Sequence, residues 1–372
     1  MKILIASDSF KGSLTSKQVA NIMTKAIHEM NPKIEVLSVP IADGGEGSLD
    51  CALGMENAKL IECSVHGPYD DKIQAKYVIM NQTAIIEMAE ASGLLKDVRQ
   101  VRNPLFASTY GTGELILDAL DKGCKDFILC LGGSATNDAG CGMASALGVR
   151  FMWNDVCLKA IPNELKKCNR VDISNLDDRI KECTFTIACD VNNPLLGELG
   201  ASAVFGPQKG VKNVSELDSI LCHMADLIEQ EMGQNYRNHE GAGAAGGLGF
   251  GLMCFCKAQK QSGIEAMIEL IHLEELVKQV DLVISGEGKT DRQTLFGKAP
   301  IGIARISQKN QKPVVLISGM IETNLDLNEF GIVKQISCVP YGTDVEEAIK
   351  NAEKNLYNAT KKMMEENLWK LG

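Results

Sequence analysis

The hydrophobic positions at the start of the chain change period twice within forty residues. Residues 2 to 6, KILIA, are continuously apolar and predict a buried strand. After Thr15 the apolar residues recur at helical spacing, and TSKQ predicts a capping box between Thr15 and Gln18. Residues 34 to 39, IEVLSV, return to strand character. The opening segment therefore predicts strand, helix and parallel strand joined by a right-handed crossover.

The same alternation of strand and helix patterns returns near the other end of the chain. Strands are predicted at 281 to 285, at 313 to 318 and at about 334 to 338. A helix should start near Pro300 and a long helix around Thr343. We therefore expect an α/β fold in which a Rossmann- or flavodoxin-like, three-layer domain with a five-stranded parallel sheet is built from residues 1–65 and 281–372.

Residues 66–280 are predicted to form a second α/β domain, inserted between the two halves of the first. Its predicted strands are 73 to 79, 84 to 88, 126 to 131 and 184 to 189, and its predicted helices lie near 112 to 122, 139 to 147 and 216 to 232. For the last helix, Ser215 and Asp218 give a start signal and Gly233 gives a stop signal.

Composition and charge narrow the classes of protein that the sequence allows. The 372 residues are 45% hydrophobic and carry a formal net charge of -10, and no apolar run is long enough for a membrane span. The acidic balance disfavours a nucleic-acid partner, and the absence of a signal-peptide pattern predicts a cytoplasmic protein. The thirteen scattered cysteines predict reduced thiols, and the five histidines lack the spacing of a metal site.

Small, polar and charged residues follow four predicted strands of the first domain, where an open parallel sheet binds its ligand. These loops are DSFKGS (8 to 13), ADGGEGS (42 to 48), SGEGKTD (285 to 291) and SGM (318 to 320). Any one of them could be an ordinary turn, but four together favour a phosphate site, because glycines expose backbone N–H groups and lysines add charge. The candidate cations are Lys11 and Lys289, with Lys298 as a third. The other phosphate-binding candidates are Ser9, Ser13, Asp43, Gly44, Gly45, Gly286 and Gly288.

The same loops contain several carboxylates that would repel one another if they lay together. They are Asp8, Asp43, Glu46, Glu287 and Asp291. A magnesium ion held by one or two carboxylates and by substrate phosphates would relieve this repulsion, and Glu287 and Asp291 are the predicted ligands. For each carboxylate alone, an exposed turn or a helix cap is an equal alternative.

Two glycine motifs resemble nucleotide-binding sequences, but neither supports a nucleotide site of that kind. VISGEGKT resembles the end of a Walker A loop, yet Val283 stands where the first glycine is required. GAGAAG at 241 to 246 satisfies G-x-G-x-x-G but does not follow a strand, so close packing against another helix is at least as good an interpretation.

The inserted domain has its own polar clusters at strand ends. LGGSATNDAG, residues 131 to 140, places Ser134 and Asn137 before a predicted helix, and ACDVNNPLLG, residues 188 to 197, places Asp190 and Asn193 after a strand. These groups could hold a small polar substrate, or they could be Asx turns and helix caps.

Nine collinear motifs make the sequence similar to a known enzyme family. They are DSFKGS, PIADGGEGS, IEMAEASGL, RNPLFASTYGTGELI, LGGSATNDAGCGM, ACDVNNPLLG, AVFGPQKG, GAGAAGGLG and SGEGKTDRQTLFGKAPIGIA. Together they resemble the bacterial type I glycerate kinase family from Lys2 to about Ser318. The resemblance implies a two-domain α/β enzyme that uses ATP and Mg²⁺ to phosphorylate D-glycerate, usually at its 2-hydroxyl, in a cleft between the domains.

Residue roles follow from the chemistry of phosphoryl transfer, which depends on positioning and on neutralising charge. Lys11 and Lys289 are the candidates for neutralisation, and Asp190 is the preferred base, with Asp43 as the alternative. The carboxylate of glycerate needs a cationic seat, for which the candidates are Arg102, Lys209 and Arg292.

The sequence leaves two alternative functions open. They are a kinase of another small hydroxy acid or polyol, and a non-catalytic sensor of a phosphorylated metabolite. The expected partners are glycerate and ATP, without nucleic acid or membrane, and a homo-oligomeric state is left open.

Overall fold

The computed structural model describes residues 1–42, 44, 45, 47–55, 57–97 and 100–367, with the backbone alone at residue 296. The strands are β1 (Lys2–Ser7), β2 (Glu35–Pro40), β3 (Ala58–His66), β4 (Lys72–Met80), β5 (Thr83–Glu87), β6 (Asp126–Cys130), β7 (Arg150–Trp153), β8 (Val156–Cys157), β9 (Arg170–Asp172), β10 (Thr184–Ala188), β11 (Gln259–Gln261), β12 (Leu282–Ser285), β13 (Lys289–Thr290), β14 (Val314–Ser318), β15 (Met320–Ile321) and β16 (Ile332–Ser337). The helices are α1 (Ser16–Met30), α2 (Ser48–Leu53), α3 (Ala89–Ser92), α4 (Tyr110–Asp121), α5 (Cys141–Ala146), α6 (Pro162–Leu165), α7 (Ala201–Phe205), α8 (Val214–Met232), α9 (Ala244–Cys256), α10 (Gly263–Leu270), α11 (Leu273–Lys278), α12 (Ala299–Lys309), α13 (Val345–Lys350) and α14 (Ala352–Glu365).

The chain divides into two compact units. The first comprises Met1–Asp43, Asp50–Met55 and Ile264–Gly372, and the second comprises Gly44–Leu49 and Glu56–Gly263. These limits differ from the predicted boundaries at 65 and 280. β3 belongs to the second unit because it pairs with β4 along its whole length, whereas α11 and nearly all of α10 belong to the first.

The first unit contains a five-stranded sheet of order β16-β14-β12-β1-β2, in which every neighbouring pair is parallel. In chain order this is the flavodoxin-like arrangement 2-1-3-4-5, and the predicted α/β fold is confirmed. Such a sheet binds ligands at its switch point, outside the carboxyl ends of the first and third strands. Here those strands are β1 and β12.

Helices cover both faces of this sheet because its strands are apolar on both sides. Ile3 and Ile5 of β1 belong to one buried cluster with α1 and α14, while α12 packs on the sheet through its own buried residues. The predicted capping box of α1 is confirmed, with the Thr15 hydroxyl accepting from the Gln18 backbone N–H. α12 begins at Ala299, so Pro300 is its second residue.

The second unit contains a six-stranded sheet of order β11-β10-β6-β5-β4-β3. Its first four strands are parallel, and β4 and β3 continue it as an antiparallel pair. A small separate sheet of order β8-β7-β9 lies in the same unit. The predicted α8 ends as expected at Gly233, with φ of 66°, but its N-cap is Asn213 instead of Ser215.

The glycine-rich segment beside α9 serves close backbone packing. α9 is buried throughout, and Ala245, Gly246 and Gly247 interrupt it with positive φ angles. A Cβ on Gly246 would lie 2.0 Å from the backbone oxygen of Thr136, so only glycine fits there. The glycines of GAGAAG therefore serve close packing, but against loop backbone and not against another helix.

All thirteen cysteines are free thiols, and most are buried. Burial raises the pKa of several of them, including Cys141 and Cys254, which keeps these thiols protonated. No helix within the described ranges is both long enough and apolar enough to cross a lipid bilayer.

Candidate active site

Three loops meet at the switch point of the first unit, at the carboxyl ends of β1, β12 and β14. The backbone N–H of Asp8 and the hydroxyl of Ser7 both donate to the carbonyl of Gly286, each at 2.9 Å. Backbone N–H groups of Gly319 and Met320 donate to the carbonyls that follow Gly286, at 3.0 and 3.1 Å. We call residues 8–14 and 286–291 the switch-point loops.

The glycines of the switch-point loops allow this close approach. A Cβ on Gly286 would lie 1.9 Å from the carbonyl oxygen of Ile317, so no other residue fits without moving β14. A Cβ on Gly288 would lie 3.0 Å from the backbone nitrogen of Lys11. The structure therefore brings together the two loops that carry Lys11 and Lys289.

The side chains of these loops present positive charge at the surface. Lys11 is exposed, and Lys289 is half exposed, with its Nζ 3.4 Å from Asp291 Oδ2 and 6.0 Å from the ring centre of Tyr341. Ser13 turns its hydroxyl inward to donate to the carbonyl of Phe10 at 2.8 Å. Ser13 therefore stabilises the turn itself.

Ser9 lies in the same loop, partly buried, directly after β1. Its backbone N–H donates to Asp8 Oδ1 at 2.6 Å. This contact orients the Asp8 carboxylate toward the backbone of its own turn.

Glu287 is buried and anchors its loop. Oε1 accepts from the hydroxyls of Thr290 at 3.0 Å and Thr294 at 2.7 Å, and Oε2 lies 3.8 Å from Lys298 Nζ. Burial raises the pKa of Glu287, against the opposing effect of these hydroxyl donors and of Lys298.

Asp291 caps the short 3-10 turn that follows, accepting from the Gln293 N–H at 3.0 Å. Arg292, a predicted substrate cation, is highly exposed and pairs instead with Glu322, its Nε lying 3.6 Å from Oε1. This ion pair with the residue that follows β15 accounts for the position of Arg292.

The carboxylates of this region suit a hard cation in their donor chemistry, although they form no ready-made cage. Within the described ranges no group of three or more His, Cys, Asp or Glu side chains is arranged to hold a metal ion. Magnesium is commonly held by one or two carboxylates together with phosphate oxygens, and Glu287 and Asp291 supply oxygen donors of that kind. The pair therefore fits a metal that arrives with a phosphorylated ligand.

Three further predicted residues, Asp43, Gly44 and Gly45, lie in the loop after β2. Asp43, the alternative base, lies outside the described residues. Gly44 and Gly45 belong to the second unit, where a Cβ on Gly44 would lie 2.5 Å from Gly263 Cα and 3.3 Å from Ala188. Gly44 therefore packs at the end of β10, whereas Gly45 lies beside Gly132, whose Cβ would be 3.6 Å from Gly45 Cα.

Two predicted polar residues follow β10 in the second unit. Asp190 is exposed, and its Oδ1 accepts from the Gly263 N–H at 2.9 Å. Asn193 donates its side-chain amide to the carbonyl of Leu199 at 2.8 Å, which closes its own loop. Asp190 is thus held in place, with its carboxylate at the surface, whereas the Asn193 amide is used within the fold.

The loop after β6, residues 131–140, surrounds a buried lysine from the PQK turn that follows α7. Lys209 is 1% exposed, and its Nζ donates to Ser134 Oγ and to the carbonyl of Thr136, both at 2.7 Å. Burial lowers the pKa of Lys209 to about 7, although the charge of Asp138 acts to raise it.

Asn137 lies in the same buried cluster, and only one of its two polar side-chain atoms is hydrogen-bonded. Its Nδ2 donates to Ser202 Oγ at 3.0 Å, but its Oδ1 and the hydroxyl of Thr136 have no hydrogen-bond partner among the described residues. Leaving a buried polar group unpaired costs about 1–3 kcal/mol. Such groups are uncommon in a fold that serves only stability.

Asp138 holds the loop to the starts of two helices. Oδ2 accepts from the Thr109 N–H at 2.8 Å, from its hydroxyl at 2.9 Å and from the Gly142 N–H at 3.1 Å, and Oδ1 accepts from the Gly140 N–H at 3.1 Å. The fully buried carboxylate therefore fixes Ser134 and Asn137 on a rigid loop.

Arg102, the last predicted cation, is exposed. Its backbone lies beside the PQK turn that contains Lys209. Its φ is 42°, its N–H donates to Asp97 Oδ2 at 2.9 Å, and a Cβ on Gly210 would lie 2.1 Å from its carbonyl oxygen. The sequence patterns did not predict that Lys209 is buried or that Thr109 donates two hydrogen bonds to Asp138. The only signal was the lysine between proline and glycine in GPQKG.

Comparison with known proteins places these features in a family. The profile of the Glycerate kinase family matches residues 3–368. The chain belongs to the glycerate kinase family. This agrees with the nine motifs, which lie within the matched residues.

Named relatives of this family match over nearly their whole length. The chain is 42% identical to glycerate kinase of Haemophilus influenzae, covering 96% of each chain. It is 40% identical to glycerate 2-kinase of Escherichia coli K12, covering 97% of this chain and 96% of that one. A crystal structure from Salmonella typhimurium LT2, provisionally named glycerate kinase 2, aligns with a TM-score of 0.89 at 39% identity, covering 99% and 98% of the two chains.

Proposed function

We propose that this protein is a glycerate kinase, which transfers the terminal phosphate of ATP to the 2-hydroxyl of D-glycerate. The observation that carries the proposal is the full-length similarity to named glycerate kinases, one of them named a glycerate 2-kinase. The fold also supports the proposal, because a parallel α/β sheet with loops joined at its switch point offers a place to bind a nucleotide.

The switch-point loops of the first unit bind the phosphates of ATP in this proposal. They lie at the position where parallel sheets of this order bind ligands, and they combine small residues with two lysines. Lys11 and Lys289 neutralise the charge that spreads over the transferred oxygens in the transition state. The 3.4 Å contact with Asp291 holds Lys289 near the loop until a phosphate arrives.

Magnesium accompanies the nucleotide, and when bound it would neutralise phosphate charge and help to orient the transferred group. Asp291, partly exposed at the end of its loop, is the carboxylate suited to face it. Glu287 is the second carboxylate of the pair, and its Oε1 also holds the loop through Thr290 and Thr294.

Asp190 receives the proton of the attacking hydroxyl. Its carboxylate is at the surface, and the N–H of Gly263 holds Oδ1, so the carboxylate is fixed where a substrate hydroxyl can approach it. Asp43 stays the alternative base. Three other statements stay predictions: that the reaction takes place in a cleft between domains, that the protein is cytoplasmic, and that it forms a homo-oligomer.

The test is a coupled assay of ADP release with D-glycerate, ATP and magnesium, followed by identification of the product as 2- or 3-phosphoglycerate. We expect ADP release that depends on glycerate and a 2-phosphate product. Equal or faster turnover of another hydroxy acid or of a polyol would favour the alternative kinase. Binding of phosphorylated metabolites without any ADP release would favour the sensor.

A further inference from the structure

The buried ammonium of Lys209 is an unusual feature of the second unit. Its two short hydrogen bonds go to Ser134 Oγ and to the carbonyl of Thr136, both uncharged acceptors. Within the described residues no carboxylate forms an ion pair with it, and Asp138, whose four donors come from other groups, acts on it only through longer-range attraction. A cation that is buried without an ion-pair partner is stabilised when an anion comes close.

The hydrogen bond from Lys209 determines what Ser134 can offer. Because the ammonium donates to Ser134 Oγ, the hydroxyl hydrogen must point away from Lys209. None of the described residues accepts that hydrogen, and Ser134 is 6% exposed. Ser134 therefore keeps its hydroxyl hydrogen available for another acceptor, beside the Lys209 ammonium.

The position of Ser134 in the sheet matches the proposed chemistry. Ser134 follows β6 and Asp190 follows β10, and these strands are parallel neighbours with aligned ends, Ile187 facing Leu129 and Ala188 facing Cys130. Neighbouring strands lie roughly 4.8 Å apart, a gap that a three-carbon acid can span. A substrate whose hydroxyl faces Asp190 can thus place its carboxylate toward Ser134.

The rest of the cluster also indicates a ligand. Among the described residues Asn137 Oδ1 and Thr136 Oγ1 have no hydrogen-bond partner, and both lie buried in the loop that Asp138 holds in place. A cluster that served folding alone would pair these atoms.

We propose that Lys209, acting through the Ser134 hydroxyl, is the positioning group for the carboxylate of the acid substrate. This inference rests on the proposed function, since it assigns the acid-recognising part of that site. Ser134 touches the carboxylate, and Lys209 supplies the charge from behind it. Arg102 and Arg292, the other cations considered for this role, then lie outside it.

The experiment compares Lys209→Met and Ser134→Ala with the wild type on two substrates, D-glycerate and its uncharged amide. The matched control is Lys166→Met, at an exposed lysine of the same unit whose Nζ donates to Asn163 Oδ1. We expect each site variant to raise the KM for glycerate by about 10- to 100-fold, the loss typical of one charge-assisted hydrogen bond. The KM for ATP and the kinetics with the amide should stay near their wild-type values.

The pH dependence of the wild type gives a second readout that a structural role would not produce. Since the pKa of Lys209 is lowered to about 7, the free protein loses this charge as pH rises, and binding a carboxylate restores it. The KM for glycerate should therefore rise above pH 7, by up to about tenfold per pH unit, and the rise should be absent in Lys209→Met. The other charged groups near this cluster are Asp138, on the loop itself, and Arg102, whose backbone contacts Gly210.

Each outcome decides the question. Equal losses with glycerate and with its amide, or an unchanged KM for glycerate, would overturn the role of Lys209. If Lys209→Met does not fold, Ser134→Ala and the wild-type pH profile decide the matter. A wild type that releases no ADP with glycerate would instead refute the proposed function, whereas an active wild type with unaffected variants refutes this inference alone.

Discussion

Replacing Asp138 by alanine should destabilise the second unit strongly. The substitution removes the acceptor of four hydrogen bonds, from the backbone and hydroxyl of Thr109 and from the N–H groups of Gly140 and Gly142. Each buried donor left unpaired costs about 1–3 kcal/mol, but removing a buried carboxylate also removes its own desolvation penalty. We therefore expect the free energy of unfolding to fall by about 3–5 kcal/mol, a large part of the roughly 5–15 kcal/mol of a typical protein.

The measurement is urea unfolding followed by circular dichroism, with two comparison variants. Asp138→Asn keeps one carbonyl oxygen, which can take the place of Oδ2 and accept its three donors, so its loss should be less than half as large. Asp178→Ala removes an exposed carboxylate from the same unit and should leave the curve nearly unchanged. A loss below about 1 kcal/mol for Asp138→Ala would refute the view that these four bonds hold the loop.

Four further predictions concern the switch-point loops and the base. Gly286→Ala should lower the melting temperature by several degrees, because its Cβ would lie 1.9 Å from a carbonyl oxygen; an unchanged calorimetric melt would contradict the geometry. Lys289→Met should lower kcat by about 100-fold with little change in thermal stability, as measured by ADP release and thermal melts. Asp190→Asn should lower kcat by about 100-fold or more while ATP still binds in calorimetry, and an unchanged kcat removes Asp190 from the mechanism. Because burial raises the pKa of Glu287, its ionisation costs stability as pH rises through that pKa, so the stability of Glu287→Gln relative to wild type should increase from pH 4 to pH 7 in urea titrations.

Much of the first unit could be predicted from its sequence, because the hydrophobic pattern of each segment there matches the element that the segment forms in the fold. The central strands β1, β12 and β14 are short apolar runs buried on both faces, and Thr15 and Gln18 mark the start of α1 directly. The rule that ligands bind at the carboxyl ends of parallel strands then selected the loops of Lys11 and Lys289, which the structure brings together.

The remaining features depend on contacts between residues far apart in the chain. β3 escaped prediction because its residues are mostly half exposed, and it is defined by pairing with β4. Apart from its place in GPQKG, nothing local to Lys209 indicates burial, since lysine is usually exposed and its partner Ser134 lies 75 residues away. Thr109 likewise meets Asp138 across 29 residues, a contact that no periodicity reveals.

The interleaving of the two chain ends in the first unit has a consequence for synthesis on the ribosome. Ser7 bonds to Gly286, which is 279 residues further on, so at about 5–20 residues per second the nascent β1 waits on the order of tens of seconds for its second neighbour. The 208-residue stretch Glu56–Gly263 emerges complete before that neighbour exists. Until β12 arrives, one edge of β1 offers unpaired backbone groups to any other strand nearby, and this interval is when the newborn chain most needs a chaperone.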